Sequence, residues 1–341
     1  MKAVQLVEIG KDLEEREIPT PTPISDEVLV RIKAAGICHS DVHYREGISS
    51  VGHLPITLGH EVAGEIIELG SEVTEFEIGD RVCLNYMITC GNCKYCVQGT
   101  EQFCVKGKMI GKDIDGGYAE YIAIPTRGIL KIPDSVSFEH AAVMMCSSAT
   151  TLHAIKKTRF KPGETIAIFG LGGLGISALQ LAKIFGAGII FAIDLDSDKL
   201  QYAEDLGAIP IDADKADPVE KIMELTSNEG VDVALELIGL PLTMDQGVRS
   251  LARFGRLGLV GITNKKFDIN SYEAIGGEKE IIGVSDHLLS ELPFLLDLAK
   301  LGKLDLGKVV TNTVPLEADA INEIHHQLKK YKADFRTVIV P

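Results

Sequence analysis

The chain has no tryptophan, and aromatic residues make up only 6% of its 341 positions. It also lacks any unbroken apolar run near the ~18 residues a membrane-spanning helix needs. The most apolar stretch is interrupted by glycines that read as a turn. The opening Met-Lys-Ala-Val-Gln-Leu has neither a cationic start leading into an apolar segment nor a small-residue cleavage site, so no export signal is legible. We therefore expect a soluble, cytoplasmic protein with no membrane partner. Basic residues are the minority, 34 Lys and Arg against 49 Asp and Glu, for a net charge of −15. Such a surface repels phosphate backbones, so nucleic acid is not an expected partner. Internal repeats and low-complexity segments are also missing.

What is present is enough apolar material, 45% of the chain, for two domains with full cores. The rhythm changes near residue 150. Before it, short β-rich runs at Lys2–Ile9, Glu27–Ala35, His60–Leu69, Arg81–Leu84 and Tyr118–Ile124 are separated by Gly, Pro and acidic turns. They read as an all-β module, a partly open barrel. From Thr165, strands at Thr165–Phe169, Ile189–Ile193, Ile209–Ile211, Val231–Leu237, Arg256–Gly261 and Glu280–Val284 alternate with amphipathic helical stretches. Six strands with helical crossovers predict an α/β, doubly wound parallel sheet. After Ser285 the pattern turns helical and then extended at Thr337–Val340. We expect a discontinuous first domain, 1–148 with 288–341, around a second of 149–287, with the reaction in the cleft between them.

Seven cysteines in a reducing compartment are more economically ligands, buried hydrophobes or nucleophiles than disulfide partners. Four of them, Cys90, Cys93, Cys96 and Cys104, share one short stretch. Thiolates three residues apart converge on one ion from a tight loop, and a fourth closes the tetrahedron without leaving room for water. That spacing predicts a structural zinc site, which shapes a loop and performs no chemistry.

At the first strand-to-helix turn of the expected sheet stands Gly170-Leu171-Gly172-Gly173-Leu174-Gly175. Gly170 permits the turn, Gly172 lets a pyrophosphate approach the backbone, and Gly175 lets helix and strand pack closely. The helix N-terminus offers amide donors to phosphate. A glycine pattern alone is weak, but the next strand ends in Asp194, where a carboxylate can accept hydrogen bonds from adenosine ribose hydroxyls. The same carboxylate repels a 2′-phosphate, and Leu195 and Asp196 offer no cation to hold one, so NAD is favoured over NADP.

A third constellation comprises Cys38-His39-Ser40-Asp41-Val42-His43, then Gly59-His60-Glu61, then an isolated Cys146. Cys and His are the donors of catalytic zinc sites in which the protein supplies three ligands and a fourth position stays open. Taken singly, Cys146 reads equally as a small buried hydrophobe and His60 as a satisfied core histidine.

In combination these motifs, in this order and rough spacing, resemble those of the zinc-dependent medium-chain alcohol dehydrogenases over essentially the whole chain. The resemblance implies a GroES-like β-rich catalytic domain and a Rossmann NAD-binding domain. It implies two zinc ions per subunit. Cys38, His60 and Cys146 would hold the catalytic one, with Glu61 as neighbour or alternate ligand and Asp41 orienting His60. It further implies Ser40 and His43 as a proton relay through the cofactor ribose and Thr150 against the nicotinamide. His39 and Arg336 would meet the pyrophosphate, and Lys199 and Val260 would complete the cofactor contacts. Homodimers or homotetramers are implied as well, through the edge strand near Glu280–Val284. Cys83 matches neither metal set and reads as core.

The expected chemistry has a physical basis. Hydride leaves an alcohol carbon only as the hydroxyl proton departs. Zinc lowers the pKa of bound water from about 15.7 to about 7. At about 1.4 kcal/mol per pKa unit, the same effect on an alcohol is at most on the order of 12 kcal/mol toward alkoxide. The expected substrates are primary or secondary alcohols and their aldehydes or ketones. Tyr86 stands where several family members carry a large indole, and the segment from Tyr44 to Leu54 is short and rich in Gly and Ser, so a fairly open pocket is expected. A polyol, sugar or amino-alcohol dehydrogenase of the same superfamily is the alternative reading, and a non-catalytic NAD- and zinc-binding protein a third.

Overall fold

The computed structural model describes residues 1–307, 309–331 and 335–341. The chain separates into two compact units, Met1–Cys146 with Leu288–Pro341, and Ser147–His287.

The unit Ser147–His287 carries six parallel strands: β1 (Thr165–Phe169), β2 (Ile189–Asp194), β3 (Ile209–Asp212), β4 (Val231–Glu236), β5 (Leu251–Leu259) and β6 (Glu280–Gly283). Their order is β3-β2-β1-β4-β5-β6. The winding reverses between β1 and β4, and doubly wound sheets bind ligands beyond the C-terminal strand ends at such a switch point. The central strands are apolar nearly throughout because both faces are covered, and Phe169 and Phe191 are fully buried. Helix α1 (Gly173–Ile184) follows β1 directly and buries nine of its twelve residues. Two later helices start on aspartate caps. Asp196 accepts from the amides of Asp198 and Lys199, and Asp217 from those of Val219 and Glu220.

Strand β5 begins earlier than the sequence suggested, at Leu251 rather than Arg256. The β4–β5 ladder slips between Val231↔Leu251 and Val233↔Arg256, so the intervening residues bulge and break the alternation a strand would show.

The other unit is β-rich. A seven-stranded sheet runs Ile129–Lys131, Arg81–Leu84, Glu61–Leu69, Glu27–Gly36, Arg336–Val340 and Val310–Pro315, with Tyr121–Pro125 also paired to Glu27–Gly36. Glu27–Gly36 is its spine, and Val28, Val30, Ala34 and Ala35 are fully buried there. A second sheet joins Glu14–Glu17, Lys2–Leu6 and Ile56–Thr57.

Several expected strands shorten. Lys2–Leu6 ends before a turn, His60 lies just outside Glu61–Leu69, and Tyr121–Pro125 starts after Tyr118. Other strands were not anticipated from the sequence, among them Val310–Pro315 and Glu14–Glu17. Val310–Pro315 runs parallel to Arg336–Val340 with Thr311, Asn312 and Thr313 exposed, so no apolar alternation announces it. Glu14–Glu17 consists of four exposed charged residues, a composition suited to a protected sheet edge. Among the described residues no helix is long and apolar enough to cross a membrane.

Candidate active site

Helix His39–Arg45 organises one side of the buried site. Cys38 is its N-cap, and Asp41 at the third helical position accepts from the Cys38 amide at 2.9 Å, which is half of a capping box. The same carboxylate, fully buried, also accepts from the Gly59 amide at 3.3 Å and the Tyr118 hydroxyl at 2.9 Å. Its Oδ1 lies 3.5 Å from His60 Nδ1. One side chain thereby ties the segment bearing Cys38 to the segment bearing His60. With Nδ1 turned to Asp41, Nε2 of His60 is the nitrogen left to serve as a ligand.

Cys38, His60, Glu61 and Cys146 are all buried, and their donor atoms all lie within 4.8 Å of one another. Cys146 arrives from a π-helical segment, Met144–Ser148, a widened turn frequent at functional sites. The residues fit a zinc ion on three observations. The donor set is the two-thiolate, one-imidazole kind that zinc takes at catalytic sites. Glu61 Oε2 is buried without a hydrogen-bond partner among the described residues. Finally, a Cβ on Gly36 would fall 2.0 Å from that oxygen, so only glycine leaves the carboxylate its place.

The electrostatics agree. A hydrogen bond from the Cys146 thiol, helped by Arg336 and His60, holds Cys38 well below the usual thiol range against the effect of burial, and the same bond pushes Cys146 up. Two thiols sharing one proton are the pair a divalent cation converts to two thiolates. Burial disfavours a charged His60, but Asp41 and Cys38 outweigh it and raise its pKa well above the ordinary value. Burial pushes Glu61 up to about 7, although Arg336 opposes it.

Arg336 is 5% exposed; its Nη2 donates to Glu61 Oε1 at 2.7 Å and its Nη1 to the Ile37 carbonyl at 2.9 Å. The guanidinium expected at a pyrophosphate thus braces Glu61. His39 and His43 share the helix, ring centroids 5.0 Å apart, and His39 also lies 5.3 Å from the Tyr331 ring. Ser40 Oγ is 3.8 Å from Cys38 Sγ. His43 Nδ1 is buried without a partner, and burial lowers its pKa despite Cys38 and Asp41. Tyr86 is buried and meets His60 edge-on at 5.3 Å. Cys83 is fully buried, and burial pushes its thiol up to about 12.

The four-cysteine loop is half-exposed. Cys90 and Cys104 sulfurs are 3.5 Å apart, Cys93 and Cys96 3.6 Å, and Cys90 and Cys96 4.0 Å. Disulfide sulfurs lie about 2.05 Å apart, whereas a tetrahedron with Zn–S near 2.3 Å separates them by about 3.8 Å. The loop therefore fits zinc. Backbone amides holding the Cys93 sulfur lower its pKa to about 6, so it is ready to bind as thiolate.

In the unit Ser147–His287, Gly170 has φ +95, a conformation that favours glycine. A Cβ on Gly175 would strike the Gly170 carbonyl at 2.0 Å, whereas one on Gly172 would meet nothing within 4 Å. The first glycine makes the turn, the third allows close packing, and the second faces open space, as a phosphate-approach position must. Gly173 opens α1 and is buried, and Leu174 is half-buried. Asp194, at the end of β2, accepts from Leu171 N at 2.6 Å, Leu195 N at 2.8 Å and Asp196 N at 3.1 Å. Sequence reasoning missed this tie between the aspartate and the glycine turn. Thr150 is 8% exposed in helix Ala149–Lys157. Lys199 is half-buried on helix Ser197–Asp205, and Val260 follows β5 with its amide on the Glu236 carbonyl at 3.0 Å.

Family models match both parts of the chain: an alcohol dehydrogenase GroES-like domain over residues 24–134 and a zinc-binding dehydrogenase over residues 173–300. The chain is 36% identical to an NAD-dependent alcohol dehydrogenase of Sulfurisphaera tokodaii, covering 100% of both. It is 35% identical to a sorbitol dehydrogenase of Bacillus subtilis over 90% of this chain and 88% of that one. The solved alcohol dehydrogenase of Aeropyrum pernix superposes with a TM-score of 0.92 at 35% identity, covering 100% of both chains.

Proposed function

The chain belongs to the zinc-dependent medium-chain alcohol dehydrogenases, and from that premise we propose how its own residues divide the work. It is an NAD-dependent oxidoreductase that moves hydride between an alcohol and NAD, with an aldehyde or ketone as the oxidised product. The observation that carries our assignment is the buried cluster of Cys38, His60, Glu61 and Cys146.

Cys38, His60 and Cys146 hold the catalytic zinc, which when bound supplies the Lewis acidity that makes a substrate hydroxyl easier to deprotonate. Glu61, braced by Arg336, stands beside the three ligands as an alternate donor. Ser40, on the first turn of helix His39–Arg45, would take up the hydroxyl proton as it releases its own. His43 lies on the same helix face one turn on, and its buried Nδ1, without a hydrogen-bond partner among the described residues, would be the relay's final acceptor. Its depressed pKa keeps the ring neutral and able to accept. Gly170, Gly172, Gly173, Leu174 and Gly175 seat the pyrophosphate at the start of α1. Asp194 would take the adenosine ribose hydroxyls while steadying the turn, and Lys199 and Val260 would contribute to the same cofactor site. Thr150 would meet the nicotinamide, and His39 would meet the phosphates. Cys90, Cys93, Cys96 and Cys104 hold the structural zinc.

The substrates we propose are medium-sized primary or secondary alcohols. A polyol dehydrogenase is the second reading, favoured by the sorbitol-dehydrogenase relative and disfavoured by Cys146, since the polyol branch often uses Glu for its third ligand. Absorbance at 340 nm with NAD and a panel of C2 to C8 alcohols and polyols, before and after a chelator, tests both. Chelator-sensitive reduction of NAD by C4 to C8 alcohols is the expected result. Turnover of polyols alone would favour the second reading, and NAD binding without turnover of any alcohol would overturn both.

We also propose a cytoplasmic homodimer or homotetramer. The free thiols suit a reducing compartment. Strand β6 ends its sheet, and the adjacent helix Ser271–Gly276 has no buried residue, with Tyr272 83% and Ile275 76% exposed. Analytical ultracentrifugation showing only monomer at micromolar concentration would overturn this assembly.

A further inference from the structure

We propose that Tyr118 is a positioning residue for the Cys38–His60–Cys146 metal centre, acting by locking the Asp41 carboxylate that holds the two ligand-bearing segments together. The inference rests on the metal-centre reading above. Tyr118 is fully buried and its hydroxyl donates to Asp41, so its effect passes through that carboxylate.

Four groups surround that one carboxylate. Oδ2 accepts from the Tyr118 hydroxyl at 2.9 Å and from the Cys38 amide at 2.9 Å. Oδ1 accepts from the Gly59 amide at 3.3 Å and faces His60 Nδ1 at 3.5 Å. A buried carboxylate is stable only with its lone pairs satisfied. The two contacts through Oδ1 are the long ones and the two through Oδ2 the short ones. The short pair therefore sets the orientation, and the long pair follows from it. Without the phenol, Oδ2 keeps a single donor, the carboxylate is free to rotate about its last bond, and the contact that orients the imidazole is no longer fixed.

The phenol is itself held by the segment it positions. The Tyr118 amide donates to the Leu58 carbonyl at 3.0 Å and its carbonyl accepts from Val4 at 2.8 Å. Its ring lies where a side chain on Gly59 would stand: a Cβ there would come 2.4 Å from Tyr118 Cδ1. Gly59 also has φ +92, so this glycine both makes the turn into His60 and admits the ring. Two residues before Tyr118, a Cβ at Gly116 would fall 2.3 Å from the Gly59 carbonyl. The Gly116-Gly117-Tyr118 segment is thus the floor on which Gly59-His60 rests, and the hydroxyl reaches through that floor to Asp41. A residue that only filled core space would need the ring and not the hydroxyl.

The test is Tyr118→Phe in the zinc-loaded, full-length protein, which keeps the ring and removes the donor. Zinc transfer to a chromophoric chelator should be about 10–100-fold faster from the buried site, identified by its absence from the Cys146→Ala protein. Release from the four-cysteine loop should be unchanged. Cobalt placed in the buried site should show displaced visible bands in the variant. In an Asp41→Asn background, Tyr118→Phe should change the release rate less than about twofold, since both act on one carboxylate. Wild-type release and an unshifted cobalt spectrum in Tyr118→Phe would overturn the inference, as would a lower melting temperature with both readouts unchanged. If Tyr118→Phe fails to fold, 3-fluorotyrosine at the same position replaces it, and a cobalt spectrum indifferent to that more acidic phenol would likewise overturn it. A wild-type protein that takes up no metal at Cys38, His60 and Cys146 would remove the proposed function and this inference together, whereas normal wild-type loading with an indifferent variant would remove the inference alone.

Discussion

The two cysteine-bearing sites are built in opposite ways. The loop holding Cys90, Cys93, Cys96 and Cys104 is local and half-exposed, and its donors come from one stretch of chain. The other set is buried, and its donors come from a helix cap, a strand start and a π-helical turn far apart in sequence. Four like thiolates close a coordination sphere, whereas a mixed set with an adjacent carboxylate leaves chemistry possible. The difference supports our proposal that the conspicuous cysteine cluster holds a metal that shapes the protein and the dispersed donors hold the one that reacts.

Substituting one ligand in each site breaks or sharpens this contrast. Cys146→Ala should lower turnover by about a thousandfold or more, because the metal's electrostatic contribution to the barrier is the largest single one, while the melting temperature moves little. Cys93→Ser should do the reverse. Structural zinc contributes to folding directly, so a loss of about 2 kcal/mol or more, several degrees in melting temperature, should precede any loss of turnover in the folded fraction. Steady-state kinetics and calorimetry on the two proteins check both, and interchangeable effects would end the contrast.

Within the reactive site, Ser40→Ala should lower kcat about 10²–10⁴-fold, the usual weight of a positioned proton acceptor. NAD affinity, measured by fluorescence titration, should stay nearly intact; unchanged turnover would remove the relay. A smaller effect is expected at the dinucleotide turn. Asp194→Gly with Leu195→Arg should shift the NADP-to-NAD ratio of kcat/KM upward by about tenfold or more, the scale of one charged hydrogen bond. Because Asp194 also holds the Leu171 amide, KM for both cofactors should rise too. An unshifted ratio would leave Asp194 as a brace for the turn only.

The last prediction concerns acid. His325 is fully buried, its ring 6.1 Å from that of Tyr118, neither of its nitrogens has a partner among the described residues, and burial lowers its pKa to about 4. An unfolded histidine titrates near 6.5. Between those values the unfolded chain binds the extra proton, so stability is full above about pH 6.5 and declines as pH falls toward 4, by at most on the order of 3 kcal/mol. Denaturant melts of His325→Leu should be flatter across that window than wild type. Parallel slopes would show that His325 does not contribute the loss.

The parts legible in the sequence were those encoded by short spacing: the cysteine loop, the glycine turn with Asp194, and the six-strand rhythm from Thr165 onward. Cys38, His60 and Cys146 could be gathered only because a family resemblance joined residues that no local pattern connects. The braces were hidden for the same reason. Tyr118 meets Asp41 across 77 residues and Arg336 meets Glu61 across 275, and a hydrogen bond at such separation leaves no periodicity to read. Arg336 looked like a cofactor contact because its charge was visible and its burial was not. The strand Val310–Pro315 escaped because its outward Thr and Asn side chains carry no alternating apolar pattern.

The division of labour between the two sites is tested most directly by following zinc content, NAD reduction and melting temperature together during slow chelation of the wild-type protein. We expect activity to vanish in step with one zinc per subunit and thermal stability to fall in step with the other. Activity that tracks the metal of the four-cysteine loop, with the Cys38–His60–Cys146 site already emptied, would contradict it.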